Sequence, residues 1–309
     1  MPNTMNEITK EFLEIVSEFK DGFKGAFNLR ENGQCIGRLS SENVTIEAKT
    51  DKPGIIVTVA PNTVGETVYI PTCVTHGGLD DVVYNDFNIG ENCDIRVIAG
   101  CGVHTETNTN AKHSGVHMIH IGANSHVEYI EKHIGTGEGT GNRVINPVTN
   151  AFLAPNAVME INATQISGLD NAYRTTNAQL EEGAQLIVRE RLFTECEQIT
   201  KTHFKVELNG EGSSADIVSR SFAKDASYQS MDSVIIGNAA CKGHSECDSI
   251  IDGDAVVEAS PRLFAHNKEA ALIHEAAIGK IAGEQIMKLR TLGLTEEQAE
   301  AEIINGFLS

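Results

Sequence analysis

Tryptophan is absent from this chain of 309 residues, and aromatic residues together make up only 5% of it. The core must therefore be built from Ile, Val, Leu and Ala, which suits many thin repeated layers better than one thick aromatic centre. Basic residues are also scarce: 24 Lys and Arg stand against 43 Asp and Glu, a formal net charge of −19. A surface so acidic repels phosphate backbones and anionic bilayers, and no basic stripe interrupts it, so neither nucleic acid nor membrane is an expected partner. No apolar run is long enough to span a bilayer. None of the seven cysteines forms a C-x-x-C pair, which excludes a zinc ribbon and a ferredoxin-type cluster motif. The sequence has no G-x-x-x-x-G-K-[ST] phosphate loop and no G-x-S-x-G nucleophile elbow. Its polar, acidic start, "MPNTMNEITKEFLEIV", is not a signal peptide. The expectation is a cytoplasmic protein with reduced thiols.

What is present is ordinary in bulk, with 40% hydrophobic and 22% charged residues, and distinctive in pattern. In "NEITKEFLEIVSEFKDGF", Ile8, Phe12, Ile15, Val16, Phe19 and Phe23 recur at three- and four-residue steps. This predicts an amphipathic helix stopped near Gly25, docked on something else because it is too short to stand alone. From about residue 33 to 275 the period changes to two. Short β-branched pieces such as "VTIEAK", "GIIVTVA", "CDIRVIAG" and "AQLIVRERLF" alternate with Gly, Asn, Asp and Pro. Asn92, Asn124 and Asn156 stand 32 residues apart, each just before such a piece, and Ala184 follows at 28. A turn that recurs once per two-strand unit fits a β-solenoid; regular short strands also fit a sandwich or barrel. At the end, "AGEQIMKLRTLG" presents Ile286, Leu289 and Leu292. Thr295 and Gln298 then form a capping box ahead of Ala299, Ile303 and Phe307. Two short helices joined near Gly293 are expected, either capping the β-region or offering their apolar faces to a partner. The division is thus 1–32 helical, 33–275 β-core and 276–309 helical.

Three places carry possible chemistry. His113, His117, His120, His126 and His133 crowd together, but their spacing fits no zinc motif and histidines are common on exposed sheet faces. The Gly-rich "IGTGEGTGN" precedes no helix and reads as a loop. In "CDSIIDGDAVVEASPRLFAHNKEAALIHE", Cys247 and His274 are 27 residues apart and Glu275 follows. In a solenoid, positions one coil apart lie on neighbouring rungs at roughly 5 Å. A thiolate and an imidazole there would suit iron or an iron–sulfur cluster, with Glu275 as an oxygen ligand. The residues alone equally allow a buried Cys and a satisfied His.

The segment "SECDSIIDGDAVVEASPRLFAHNKEAALIHEAAIGKIAGEQIMKLRTLGLTEEQAEAEIINGFL" resembles the C-terminal signature of the SufB/SufD scaffold proteins of iron–sulfur cluster assembly. The likeness rests on "CDS", a Pro in a short strand, "HEAAIGKI", "EQIMKLRTLGL" and the final I-x-x-G-F. It extends more loosely back to "AGCGVHTETNTNAKHSGVHMIHIGANSHVEYI". The resemblance implies a right-handed parallel β-helix with helical ends, and a SufC-like ABC-type ATPase docked on the C-terminal helices. It implies Cys247, His274 and Glu275 as cluster-building residues, with Cys101 as a less secure second thiol. Glu275 makes the chain SufB-like, because SufD members generally lack the Glu after the His. Two positions depart from the family: Met287 replaces an aromatic and Leu292 an Arg, which bears on the docking detail. The expected protein is a non-enzymatic scaffold, a homodimer or a heterodimer with a related SufB/SufD chain. Its cargo would be a transient iron–sulfur cluster that the isolated protein does not retain. The alternative is a parallel β-helix enzyme acting on polysaccharide, for which basic and aromatic residues are few.

Overall fold

The computed structural model describes residues 5–19 and 22–308. Among the described residues, an N-terminal helix, α1 (Glu7–Val16), is followed by twenty-one strands and two helices, α2 (Gly283–Arg290) and α3 (Glu296–Leu308). From Leu79 onward the chain passes back and forth between two facing sheets, each coil giving one strand to each except where one sheet-B strand is broken in two. Sheet A runs through β8 (Asp94–His104), β10 (His126–Thr136), β13 (Val158–Ser167), β15 (Gln185–Thr194), β17 (Ser214–Ala223), β19 (Lys242–Ile251) and β21 (Ala271–Gly279). Sheet B runs through β7 (Leu79–Ile89), β9 (Ala111–Ile121), the short strands β11 (Arg143–Ile145) and β12 (Val148–Leu153) that together fill one position, β14 (Asn171–Leu180), β16 (Ile199–Leu208), β18 (Tyr228–Gly237) and β20 (Val256–Ala265). All these neighbours pair in parallel. The molecule is a parallel β-helix, and the sandwich and barrel are excluded. Antiparallel pairs occur only where the solenoid starts, among the described residues: β1 (Ala26–Glu31) with β2 (Gln34–Leu39), and β3 (Val44–Ala48) with β4 (Gly54–Val59).

The asparagine spacing marks one corner of the coil. Asn62, Asn92, Asn124 and Asn156 all have left-handed backbones, with φ from 56° to 63°. This conformation is tolerated by Asn because its short amide bonds locally. Their side chains stack into a ladder, each Nδ2 donating to the Oδ1 of the previous asparagine at 3.3–3.4 Å. Between the sheets lies the continuous apolar core anticipated from composition, led by Ile95, Val97, Val127, Met159, Val188, Phe204 and Ile217.

Helix α1 ends earlier than its periodicity suggests. The Ser17 hydroxyl donates to Leu13 O and Glu18 takes φ 55°, which breaks the helix after Val16. Phe19 and Phe23 keep the apolar rhythm because they still pack against the cluster of Phe12, Leu13 and Val16 outside the helix. Gly25 is not its stop: a Cβ there would overlap Thr67 O on the neighbouring coil. The docking surface is a bare strip of β8, where side chains on Gly100 or Gly102 would collide with Val16 or Phe12. The first strand begins at Ala26, inside the segment expected to be helical, and the last ends at Gly279.

Candidate functional site

The last two coils bring part of the expected site together. Inward positions alternate along β19, so Gly243, Ser245, Cys247 and Ser249 face the interior and are buried. Strand β21 covers them in parallel register, with Ser245 opposite His274 and Cys247 opposite Ala276. Cys247 and His274 are therefore diagonal neighbours on one inner face, with Cα atoms about 8 Å apart from strand spacing and rise. His274 Nδ1 lies 3.1 Å from the carbonyl oxygen of Ser245. A carbonyl only accepts, so Nδ1 carries a proton and Nε2 is the nitrogen left to ligate a metal. Cys247 is 3% exposed. Burial pushes its thiol up to about 11; the Ser249 hydroxyl lowers it, while Glu190 and Asp248 raise it further. At neutral pH it is a protonated thiol, and a soft cation must displace that proton to bind.

Glu275 and Cys101 lie elsewhere, and the expectation of one convergent set is corrected for both. Consecutive residues of a strand face opposite sides, so Glu275 points outward where His274 points inward. Its carboxylate is largely exposed and stands 3.8 Å from His244 Nε2 on the outer surface. Cys101 is an inward residue of β8, buried with Val74, Val103 and Ile145. Four strands of sheet A separate it from β19, which places it about 24 Å from Cys247, too far to share a metal. Burial, then Glu131, raises its thiol well above the usual range.

The histidine-rich patch is divided in the same way. His126 lies outside, between Asp94 (2.9 Å) and Glu160 (3.3 Å), and His120 stacks on Phe152 at 4.8 Å. His113, His117 and His133 are buried. They belong to a polar lane through the interior that no sequence pattern announced. Arg30 grips Asp81 at 2.7 and 2.9 Å, and Asp81 accepts from His113 at 3.2 Å. Further along, Arg174 of β14 crosses from sheet B to pair with Glu131 and, at 3.4 Å, with Glu190. Glu190 also accepts from Ser219 (2.7 Å) and Thr202 (3.1 Å). Burial alone would raise Glu131, but Arg174 and then His133 hold it well below the usual carboxylate range. Burial raises Glu190, which Arg174 only partly offsets. Glu190, Ser219 and Cys247 occupy one register row on β15, β17 and β19, so the lane reaches the thiol site from within.

Beyond β21 the sheet is open. Val256, Leu263 and Phe264 on β20, and Ile273 and Ile278 on β21, are exposed although each strand ends its sheet. The capping box forms as expected, Gln298 N donating to Thr295 Oγ1 at 3.2 Å and Thr295 N to Gln298 Oε1 at 3.0 Å. Helix α2 buries none of its residues, Met287 is 67% and Leu292 76% exposed, and on α3 only Ala299 is buried.

Comparison with known proteins agrees with this architecture. Residues 86–307 match the family described as SUF system FeS cluster assembly, SufBD core domain. An iron-sulfur cluster assembly SufBD family protein homolog of Methanothermobacter thermautotrophicus strain Winter is 28% identical over 85% of this chain and 64% of its own length. Another from strain Delta H is 30% identical over 71% of this chain and 53% of its own length. The SufBD family protein of Pyrococcus horikoshii is 31% identical over 75% of this chain and 69% of its own. The matched region thus spans between half and two thirds of the two Methanothermobacter relatives. With most of its coils inside the matched region and relatives at this level of identity, the chain belongs to the SufBD family of iron–sulfur cluster assembly proteins.

Proposed function

We propose that the protein is a non-enzymatic cytoplasmic scaffold, SufB-like, on which a nascent iron–sulfur cluster is built with the help of a SufC-like ATPase and then passed on. The observation that carries this reading is the diagonal placement of Cys247 and His274 on the inner face of the last coils, with His274 Nδ1 held by Ser245 O. One thiolate and one imidazole hold a cluster more loosely than four thiolates, which suits cargo that must leave. Two donors are too few for a cluster. The missing ones would come from a second SufB/SufD chain, whose approach the open edge beside Cys247 invites. Light scattering at micromolar concentration should therefore report a dimer; a monomer throughout would count against that edge as the contact. Family membership leaves the polysaccharide-enzyme alternative without support.

The ATPase would dock on α2 and α3, where Met287 of α2 and Leu292 of the turn between the helices stand in solvent. Because α2 buries nothing and α3 only Ala299, truncation after Ala282 should leave the coils folded. Co-expressed ATPase should then fail to co-purify, whereas the full chain retains it. Retention by the truncated chain would place the docking surface elsewhere. The scaffold role itself is tested by anaerobic reconstitution with iron and sulfide in the presence of the ATPase and ATP, read by visible absorption and Mössbauer spectra.

A further inference from the structure

On the outer face of sheet A, directly behind Cys247 and His274, the same two strands carry a second set of donors. His244 and Glu246 are two residues apart on β19 and so share its outer face. Glu275 stands opposite Glu246 in the register with β21. One atom from each residue, an imidazole nitrogen and two carboxylate oxygens, lies within 4.8 Å of the other two. We propose that His244, Glu246 and Glu275 form a binding site for a divalent first-row transition metal, separate from the thiol site.

An independent feature shows that the imidazole is aimed. His244 Nδ1 lies 2.7 Å from Asp216 Oδ1, and Asp216 Oδ2 accepts from Arg189 at 2.5 Å. The carboxylate accepts, so Nδ1 carries a proton, and Nε2, 3.8 Å from a Glu275 oxygen, is the nitrogen left to ligate. A carboxylate that fixes the tautomer and orientation of a histidine from behind is the arrangement that supports a metal-bound imidazole. Asp216 lies one coil earlier on β17, directly in register with His244, so the sheet itself builds the support.

Bond lengths of about 2.0–2.2 Å require the donors to close together by roughly an ångström, within the reach of rotamer changes in two glutamates. One nitrogen and two carboxylates favour Fe(II), Mn(II), Co(II) or Zn(II) over an all-oxygen ion such as Ca(II). Three protein ligands leave coordination positions open toward the groove of about 520 Å³ that His244 and Glu246 line together with Arg189 and Arg220. The assignment of the natural ion as Fe(II), held outside the sheet before assembly, rests on the proposed scaffold function; the site itself does not.

The test is anaerobic titration of the full chain with Co(II) at moderate salt, followed by calorimetry and visible d–d absorption. One Co(II) per chain is expected, without a thiolate-to-metal charge-transfer band. His244→Ala and Glu246→Gln should each weaken binding tenfold or more. Asp216→Asn, which removes no ligand, should weaken it roughly 10–100-fold. Cys247→Ser should bind Co(II) like the parent while failing to assemble clusters, which separates this site from the scaffold function. Binding unchanged by His244→Ala, or lost in Cys247→Ser, would overturn the proposal while leaving the scaffold reading standing.

Discussion

Replacing Cys247 with serine is expected to reduce cluster formation to background in anaerobic reconstitution, with the loss of visible absorption and of the Mössbauer signature of a cluster. Among the described residues Cys247 is the thiol on the inner face beside His274, while Cys241 lies at the turn before β19, and a hydroxyl does not replace a thiolate for iron or sulfide. The fold should survive, because the position is already lined by the hydroxyls of Ser219, Ser245 and Ser249, and serine is nearly isosteric. His274→Ala should come next in severity, since it removes the imidazole whose Nε2 is held ready by Ser245 O. Glu275→Ala should slow iron loading rather than abolish assembly, because Glu275 lies on the other side of the sheet. Cys35→Ser and Cys196→Ser should be nearly silent; both thiols are exposed, Cys35 on β2 and Cys196 in a corner turn, off the inner face that holds Cys247. The scaffold assignment of Cys247 fails if Cys247→Ser builds and transfers clusters as well as the parent.

Much of this was legible in the sequence, for reasons that particular residues make plain. The 32-residue spacing of Asn92, Asn124 and Asn156 announces the coil because the left-handed corner tolerates asparagine and the amide ladder uses its side chain; the next coils put Gly183 and Gly212 at that corner. The Thr295–Gln298 pair announces α3 because capping is a local event. Sidedness was harder. A shift of one residue in a strand exchanges its two faces, and nothing in "ALIHEAAIG" alone says which face is inside. Yet alternation by itself forbids His274 and Glu275 from facing the same way, and that signal was available once the segment was read as a strand. The same period of two links His244 to Glu246, and Asp216 stands 28 residues before His244. These positions matter only once coil register is known. Least legible was the charged lane: Glu131, His133, Arg174 and Glu190 sit at inward positions where an alternating pattern predicts apolar residues. Only the fold shows that they satisfy one another.

Arg174 should be among the positions where substitution costs most stability. Its guanidinium is the link between sheets in that lane, pairing with Glu131 and Glu190, all three nearly solvent-free. Arg174→Met keeps the volume but strands two buried carboxylates. Breaking a buried pair from one side costs about 3–5 kcal/mol, far above the 0–1 kcal/mol of a surface ion pair. The pH dependence gives the mechanism away. In the parent, Glu131 is held below its unfolded value, so its contribution is present above that value and is lost as pH falls through the lower, folded one. In Arg174→Met the opposing cation is gone and burial dominates, which raises the folded value above the unfolded one. The sign then reverses: the contribution of Glu131 is present below its unfolded value and is lost as pH rises through the raised folded value. His133, held neutral by burial, compensates only in acid. Urea unfolding of parent and variant should therefore show the largest gap near neutrality and a narrowing gap toward the carboxylate range. Adding Glu131→Leu to Arg174→Met should restore part of the loss, because it removes one stranded carboxylate and leaves only Glu190, which burial already raises and which still accepts from Ser219 and Thr202. A gap independent of pH, or no recovery in the double variant, would mean that Arg174 acts through packing rather than through its charge.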